Sequence, residues 1–172
     1  PLRERQGMCK LEFKDENEVL AVVRASTGRR FVGLLSLGLL GFMLIYIAFS
    51  QPPSLLWQIF LVLVGAGALW LADAMRRATA SVVELTPLGL RDGDGTVIAL
   101  IDDIQGMDRG FFAFKPSNGF LLKTRKPAPR MWRPGLWWRL GRRIGIGGMT
   151  PGHQTKFMSE IIAGMMAKRD LE

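Results

Sequence analysis

The stretch FVGLLSLGLLGFMLIYIAF, residues 31–49, and the stretch LLWQIFLVLVGAGALWLA, residues 55–72, contain no charged side chain. Between them lies only Ser50-Gln51-Pro52-Pro53-Ser54. As helices at ~1.5 Å per residue the runs reach ~28 Å and ~27 Å, against a bilayer core of ~30 Å. The second needs a slight extension into its flanks to cross. A five-residue hinge houses no domain, so the two spans must return on themselves. The pattern predicts a membrane hairpin with helix 1 over 31–49, an external hinge over 50–54 and helix 2 over 55–75.

Basic residues orient it. Arg24, Arg29 and Arg30 precede the first run, Arg76 and Arg77 follow the second, and the hinge has none. By the positive-inside rule both termini are cytoplasmic. Tyr46 and Trp57 flank the hinge and Trp70 lies near the other end, where interfacial aromatics belong. A buried soluble hairpin fits poorly with two adjacent uncharged stretches in basic brackets. A cleaved leader fits poorly too, because thirty mostly polar residues precede the first run.

The chain has 172 residues, and roughly 95 remain for one small domain beyond the hairpin. Cys9 is the only cysteine, so no intramolecular disulfide or cysteine-rich metal site can form. The net charge of +8 is local: residues 109–159 hold eleven Lys/Arg and no acid, and the rest holds twelve against fifteen. Within that segment, Arg130, Arg133, Arg139, Arg142 and Arg143 interleave with Trp132, Trp137 and Trp138. Pro127, Pro129, Pro134 and Gly135 interrupt it, which predicts a long loop with a short helical turn at 135–143.

Short strands are expected elsewhere, at 10–14 and 19–25 before the hairpin, the latter with a helical lead-in as its alternative, and at 81–85, 88–91 and 96–101 after it. Asp92-Gly-Asp-Gly95 makes a hairpin turn. Further strands at 110–115 and 119–124 flank the turn at 116–119, and a last one covers 143–147. Thr150 is placed to cap a final helix, with Pro151 in its first turn. The stripe Phe157, Met158, Ile161, Ile162, Met165 and Met166 should seal one end of a curved antiparallel sheet.

Two segments carry a resemblance. Thr86-Pro87-Leu88-Gly89-Leu90, followed after a short hairpin by Ile98-Ala-Leu-Ile-Asp102-Asp103-Ile104, resembles the start of bacterial pleckstrin-homology-like domains attached to membrane hairpins. Ala99-Leu100-Ile101 stands where that family carries Pro-Trp. The resemblance covers 79–168 and the hairpin, and it implies a partly open barrel with a C-terminal helix. It also implies an accessory or assembly role beside a larger photosynthetic or respiratory complex in the bacterial inner membrane.

The expected architecture is therefore a membrane α-helical hairpin with a small β-rich (α+β) cytoplasmic domain over 78–168. An N-terminal segment 1–30 and a tail 169–172 complete it. No cofactor is expected, and no enzyme. His153 is the only histidine and reads as a surface or capping side chain. Asp102 and Asp103 read as solvated turn carboxylates. Asp92-Gly-Asp-Gly lacks the terminal glutamate of a calcium loop. Gly145 to Gly152 lacks the Gly-Lys-Ser/Thr ending of a phosphate loop.

The expected binding residues are Arg130, Trp132, Arg133, Trp137, Trp138, Arg139, Arg142 and Arg143, with tryptophans at headgroup level and arginines on phosphates. Trp and Arg also dominate protein interfaces, so anionic phospholipids and a larger membrane complex are both candidate partners. Nucleic acid is not expected. Gly33, Gly41, Gly65, Ala68 and Ala72 permit close helix approach, either between the two spans or against a further complex.

Overall fold

The computed structural model describes residues 18–51, 53–108 and 116–171. Cys9 and the strands expected at 10–14 and 110–115 lie outside them. The element order is β1 (Ala21–Arg24), α1 (Thr27–Ser50), α2 (Leu55–Ala78), β2 (Val82–Leu85), β3 (Gly89–Asp92) and β4 (Val97–Leu100). A 3-10 turn (Ile101–Asp103) then leads to β5 (Ile104–Asp108), β6 (Phe120–Arg133), β7 (Trp137–Ile146) and α3 (Gly152–Arg169).

Both long helices are apolar and long enough to cross a membrane, and only 11% of each 18-residue hydrophobic window is buried. Phe42, Tyr46, Leu56 and Trp70 are all more than 60% exposed. A soluble core hairpin would have hidden these side chains, because uncovered apolar area is unfavourable in water. Each helix runs beyond its uncharged stretch, α1 by four residues at its start and α2 by six at its end.

The two helices meet along small residues. A Cβ on Gly41 would stand 2.8 Å from the Gly65 carbonyl oxygen, and one on Gly65 would stand 2.9 Å from that of Gly41. The backbones therefore touch at this crossing. Ala48 is fully buried, and its carbonyl accepts a 3.1 Å hydrogen bond from Gln58 Nε2, which satisfies the one amide within the second apolar run. Ala68 and Ala72 are half-buried on α2. Gly33 instead faces the domain, where an added Cβ would lie 2.5 Å from Met149 Cε. An added Cβ on Gly38 or Gly67 would meet no atom of the described residues within 4 Å.

The strands form two antiparallel sheets, β1-β2-β3-β4 and β5-β6-β7. Ala21 and Val23 of β1 face inward and Arg24 outward, the alternation of a half-buried strand. Its partner is β2, in the register Ala21↔Leu85 to Arg24↔Val82. The helical hairpin is thus inserted between two neighbouring strands of one sheet. The domain is discontinuous: β1, from the segment expected to be separate, belongs to it. Two chain connections, at 25–26 and 79–81, hold it to the hairpin, tightened by Ser26 N–H donating to the Met149 carbonyl at 2.7 Å.

Helix α3 lies against β1 and the 3-10 turn. Thr155, Met158, Ser159 and Ile162 are its buried residues, at i, i+3, i+4 and i+7. Phe157 faces out at 56% exposure, because a stripe two residues wide exceeds the arc the sheets cover. Thr150 does not cap α3. Extended backbone at Pro151 (φ −68°, ψ 131°) makes the proline the N-cap residue, and the buried Thr150 hydroxyl finds no partner among the described residues. Thr155 Oγ1 ties the first turn to the Asn118 carbonyl at 2.6 Å, and Arg169 closes the last turn by donating to the Ile101 and Ile104 carbonyls.

Candidate functional site

The segment expected as a loop is the longest β-hairpin among the described residues. Strands β6 and β7 pair from Phe120↔Ile146 to Arg133↔Trp137 around the turn Pro134-Gly135-Leu136. Gly135 takes the positive φ (84°) that this turn demands. Pro127 and Pro129 survive within β6 because they sit in a bulge. Lys123 pairs with Arg143 and Ala128 with Gly141, so five residues of β6 advance along two of β7. Thr124 Oγ1 braces the bulge, donating to the carbonyls of Lys126 at 2.9 Å and Arg142 at 3.3 Å.

Strand pleating divides the Trp/Arg set in two. Trp137 is 1% exposed and Arg139 8% exposed, both turned to the interior. Trp137 Nε1 donates to Asp92 Oδ2 at 3.3 Å. Asp92, fully buried, also accepts from Ser81 Oγ and the Gly93 N–H, and its Oδ2 lies 3.3 Å from Arg133 Nε. Arg133 reaches Asp94 as well, at 2.8 Å. The Asp-Gly-Asp-Gly turn is therefore a structural clamp on the β6–β7 hairpin. No local pattern marks Asp92 for this role, since Trp137 and Arg133 lie more than forty positions away.

Arg139 bridges the sheets. Its guanidinium donates to the carbonyls of Pro129 (2.9 Å), Val97 (3.2 Å) and Ile98 (2.9 Å), and no carboxylate among the described residues pairs with it. Trp137, Arg139 and Arg133 were expected on headgroups or a partner, but the first two are core residues and the third is held by Asp92 and Asp94. Arg139→Gln should accordingly cost about 2 kcal/mol of domain stability through unpaired carbonyls. A urea titration followed by tryptophan fluorescence reads this; an unchanged midpoint would contradict the bridging role.

The other face keeps Arg130, Trp132, Trp138, Leu140 and Arg143, which with Met131 and the edge of Arg139 line an open groove of about 490 Å³. Trp132 and Trp138 are directly opposed cross-strand partners, and Trp132 is 57% exposed. Trp138 packs against Gly145, where a Cβ would overlap its indole. Arg142 is exposed beside the groove.

The hairpin turn sits on the domain end of the helices. A Cβ at Gly135 would be 3.1 Å from Thr79 Cγ2 and 3.6 Å from Met75 Cγ. Trp132 and Trp138 are each three residues from Gly135, so at ~3.3 Å per strand residue they lie within ~10 Å of it. Arg76 and Arg77 at this end pair with Asp73, and Arg30 donates to the Arg76 carbonyl at 3.2 Å.

His153 is exposed, as are Asp102 and most of the Asp92–Gly95 turn. No cluster of three or more His, Cys, Asp or Glu able to hold a metal occurs among the described residues. No protein-family model, curated protein or solved structure matches the chain.

Proposed function

We propose that this is a non-catalytic accessory or assembly protein of the bacterial inner membrane. Its helical hairpin crosses the bilayer with both chain ends on the cytoplasmic side, and its domain works at the inner surface beside a larger integral-membrane complex. The observation that carries this reading is the placement of the β6–β7 turn on the domain end of α2, within ~10 Å of two partly uncovered tryptophans. A domain tethered by one flexible linker would sample many orientations; this one is held by two connections and a docked turn. The outer faces of α1 and α2, including Gly38 and Gly67, remain available for lateral contact. Five arginines at the domain end and none at the hinge support the orientation. We read the domain as pleckstrin-homology-like, on the support of the four-plus-three antiparallel strands among its described residues and the closing C-terminal helix.

Purification in mild detergent at native expression tests the accessory role. The chain should co-migrate with a larger complex, and recovery solely as a free 19.2 kDa species would sink the reading. A second reading, an autonomous module for anionic lipid, is favoured by the groove between Arg130, Trp132, Trp138 and Arg143. In liposomes the full chain carrying Arg130→Gln and Arg143→Gln should then lose the preference for anionic over zwitterionic vesicles in domain-to-surface energy transfer. At about 1 kcal/mol per cation the two changes amount to roughly a thirtyfold weakening. Unaltered transfer would remove the groove from lipid binding.

A further inference from the structure

A second pocket, of about 610 Å³, opens where the hairpin leaves the domain, between the first turns of α1, Met75 of α2 and the turns at Ser117, Gly135 and Gly148-Met149. Four of its nine lining residues are glycine, which is what leaves the space. We propose that it holds one phospholipid of the leaflet on the domain side, with the phosphate on Arg29 and the glycerol and first acyl methylenes against Val32, Met75 and Met149. The inference rests on the reading that the hairpin spans a bilayer.

Three observations converge on that occupant. Arg29 is positioned but not neutralised: it donates to the Thr150 carbonyl at 3.0 Å, and no carboxylate among the described residues pairs with it. A guanidinium has five donors, so several remain for a phosphate in bidentate geometry. The rest of the lining is apolar apart from Ser117, which suits a ligand with one anionic end and an aliphatic body. The pocket is also continuous with the uncovered apolar flank of α1, since Val32 in its wall is 62% exposed, between Phe31 at 65% and Leu35 at 57%. Free phosphate would leave those apolar walls empty. A leaflet lipid fills both parts, and the volume lies within the range of built small-molecule sites.

Gly28 offers a clean way to fill the pocket. A Cβ there meets no atom of the described residues within 4 Å although the residue lines the cavity, so Gly28→Leu should occupy the space without straining the backbone. The full chain in mild detergent is titrated with palmitoyl-oleoyl phosphatidylglycerol and observed by native mass spectrometry. One lipid per chain should saturate, inorganic phosphate should fail to displace it, and Arg29→Gln should weaken it roughly tenfold or more. Gly28→Leu should lower occupancy to a similar extent with an unchanged thermal midpoint. Arg29→Lys should keep most of the binding, and Lys168→Gln, a cation at the far end of α3, all of it.

Lipid retained by both Arg29→Gln and Gly28→Leu overturns the proposal, as does equal loss in Lys168→Gln or ready displacement by phosphate. Alkaline carbonate extraction separates the two levels. A chain that stays in membranes yet binds no lipid refutes the pocket alone, whereas a chain that is washed out refutes the span and the pocket together.

Discussion

Asp92→Ala should lower the unfolding free energy of the domain by about 3 kcal/mol, the range seen when one member of a buried ionic network is removed. The carboxylate is fully buried and serves three separate parts of the chain: Ser81 after the hairpin, the Gly93 amide in its own turn, and Trp137 with Arg133 across the β6–β7 turn. Its loss strands the Trp137 indole N–H in the core and leaves Arg133 held by the exposed Asp94, so the face opposite the groove loosens as well. Urea unfolding of the full chain in detergent, followed by tryptophan fluorescence, measures the shift. Asp94→Ala supplies the comparison, because Asp94 is 61% exposed and meets Arg133 alone among the described residues; such surface pairs contribute about 0–1 kcal/mol. Equal midpoints for the two variants would show that Asp92 is not the clamp described.

Gly41→Leu should disrupt the hairpin by a comparable amount. Its Cβ would stand 2.8 Å from the Gly65 carbonyl, and backbone cannot rotate away as a side chain can. The helices must separate, losing the dispersion contacts that hold spans together in lipid; overpacking of this kind costs about 1–3 kcal/mol, and contact with backbone places it at the upper end. Loss of the monodisperse species on heating in detergent is the measurement. Gly65→Leu should behave alike, while Gly38→Leu and Gly67→Leu, which enter open space, should leave the midpoint where it was. A destabilising Gly38→Leu would place the helix contact on a different face. If Gly38→Leu and Gly67→Leu keep the fold yet lose the larger complex, those faces carry the lateral contact proposed above.

Much of the chain was legible because its signals are local. The uncharged runs, the basic brackets and the turns at Asp92–Gly95 and 116–119 each depend on residues within a few positions. The strands expected at 81–85, 88–91 and 96–101 match β2, β3 and β4 to within a residue or two. The Trp/Arg segment was misjudged for the opposite reason. Pro127, Pro129 and Pro134 are local arguments for a loop, and they are outweighed by a partner strand, by a bulge that leaves Pro127 and Pro129 out of the hydrogen-bond ladder, and by the tight turn that takes Pro134. Composition marks the segment as cationic and Trp-rich, but the pleat decides which of these side chains reach the surface.

The sequence by itself determined the helical hairpin, the cationic segment and the closing helix, because length, hydropathy and charge act one residue after another along the chain. Tertiary structure alone decided that β1 joins β2 across the inserted hairpin, that Asp92 clamps Trp137 and Arg133, and that Arg139 bridges the sheets. It also decided that Arg29 lines a pocket where the helical hairpin leaves the domain. Each of these is a contact between residues 41 to 121 positions apart. Such contacts are set by which surfaces remain once the local elements have formed, and no local pattern encodes that.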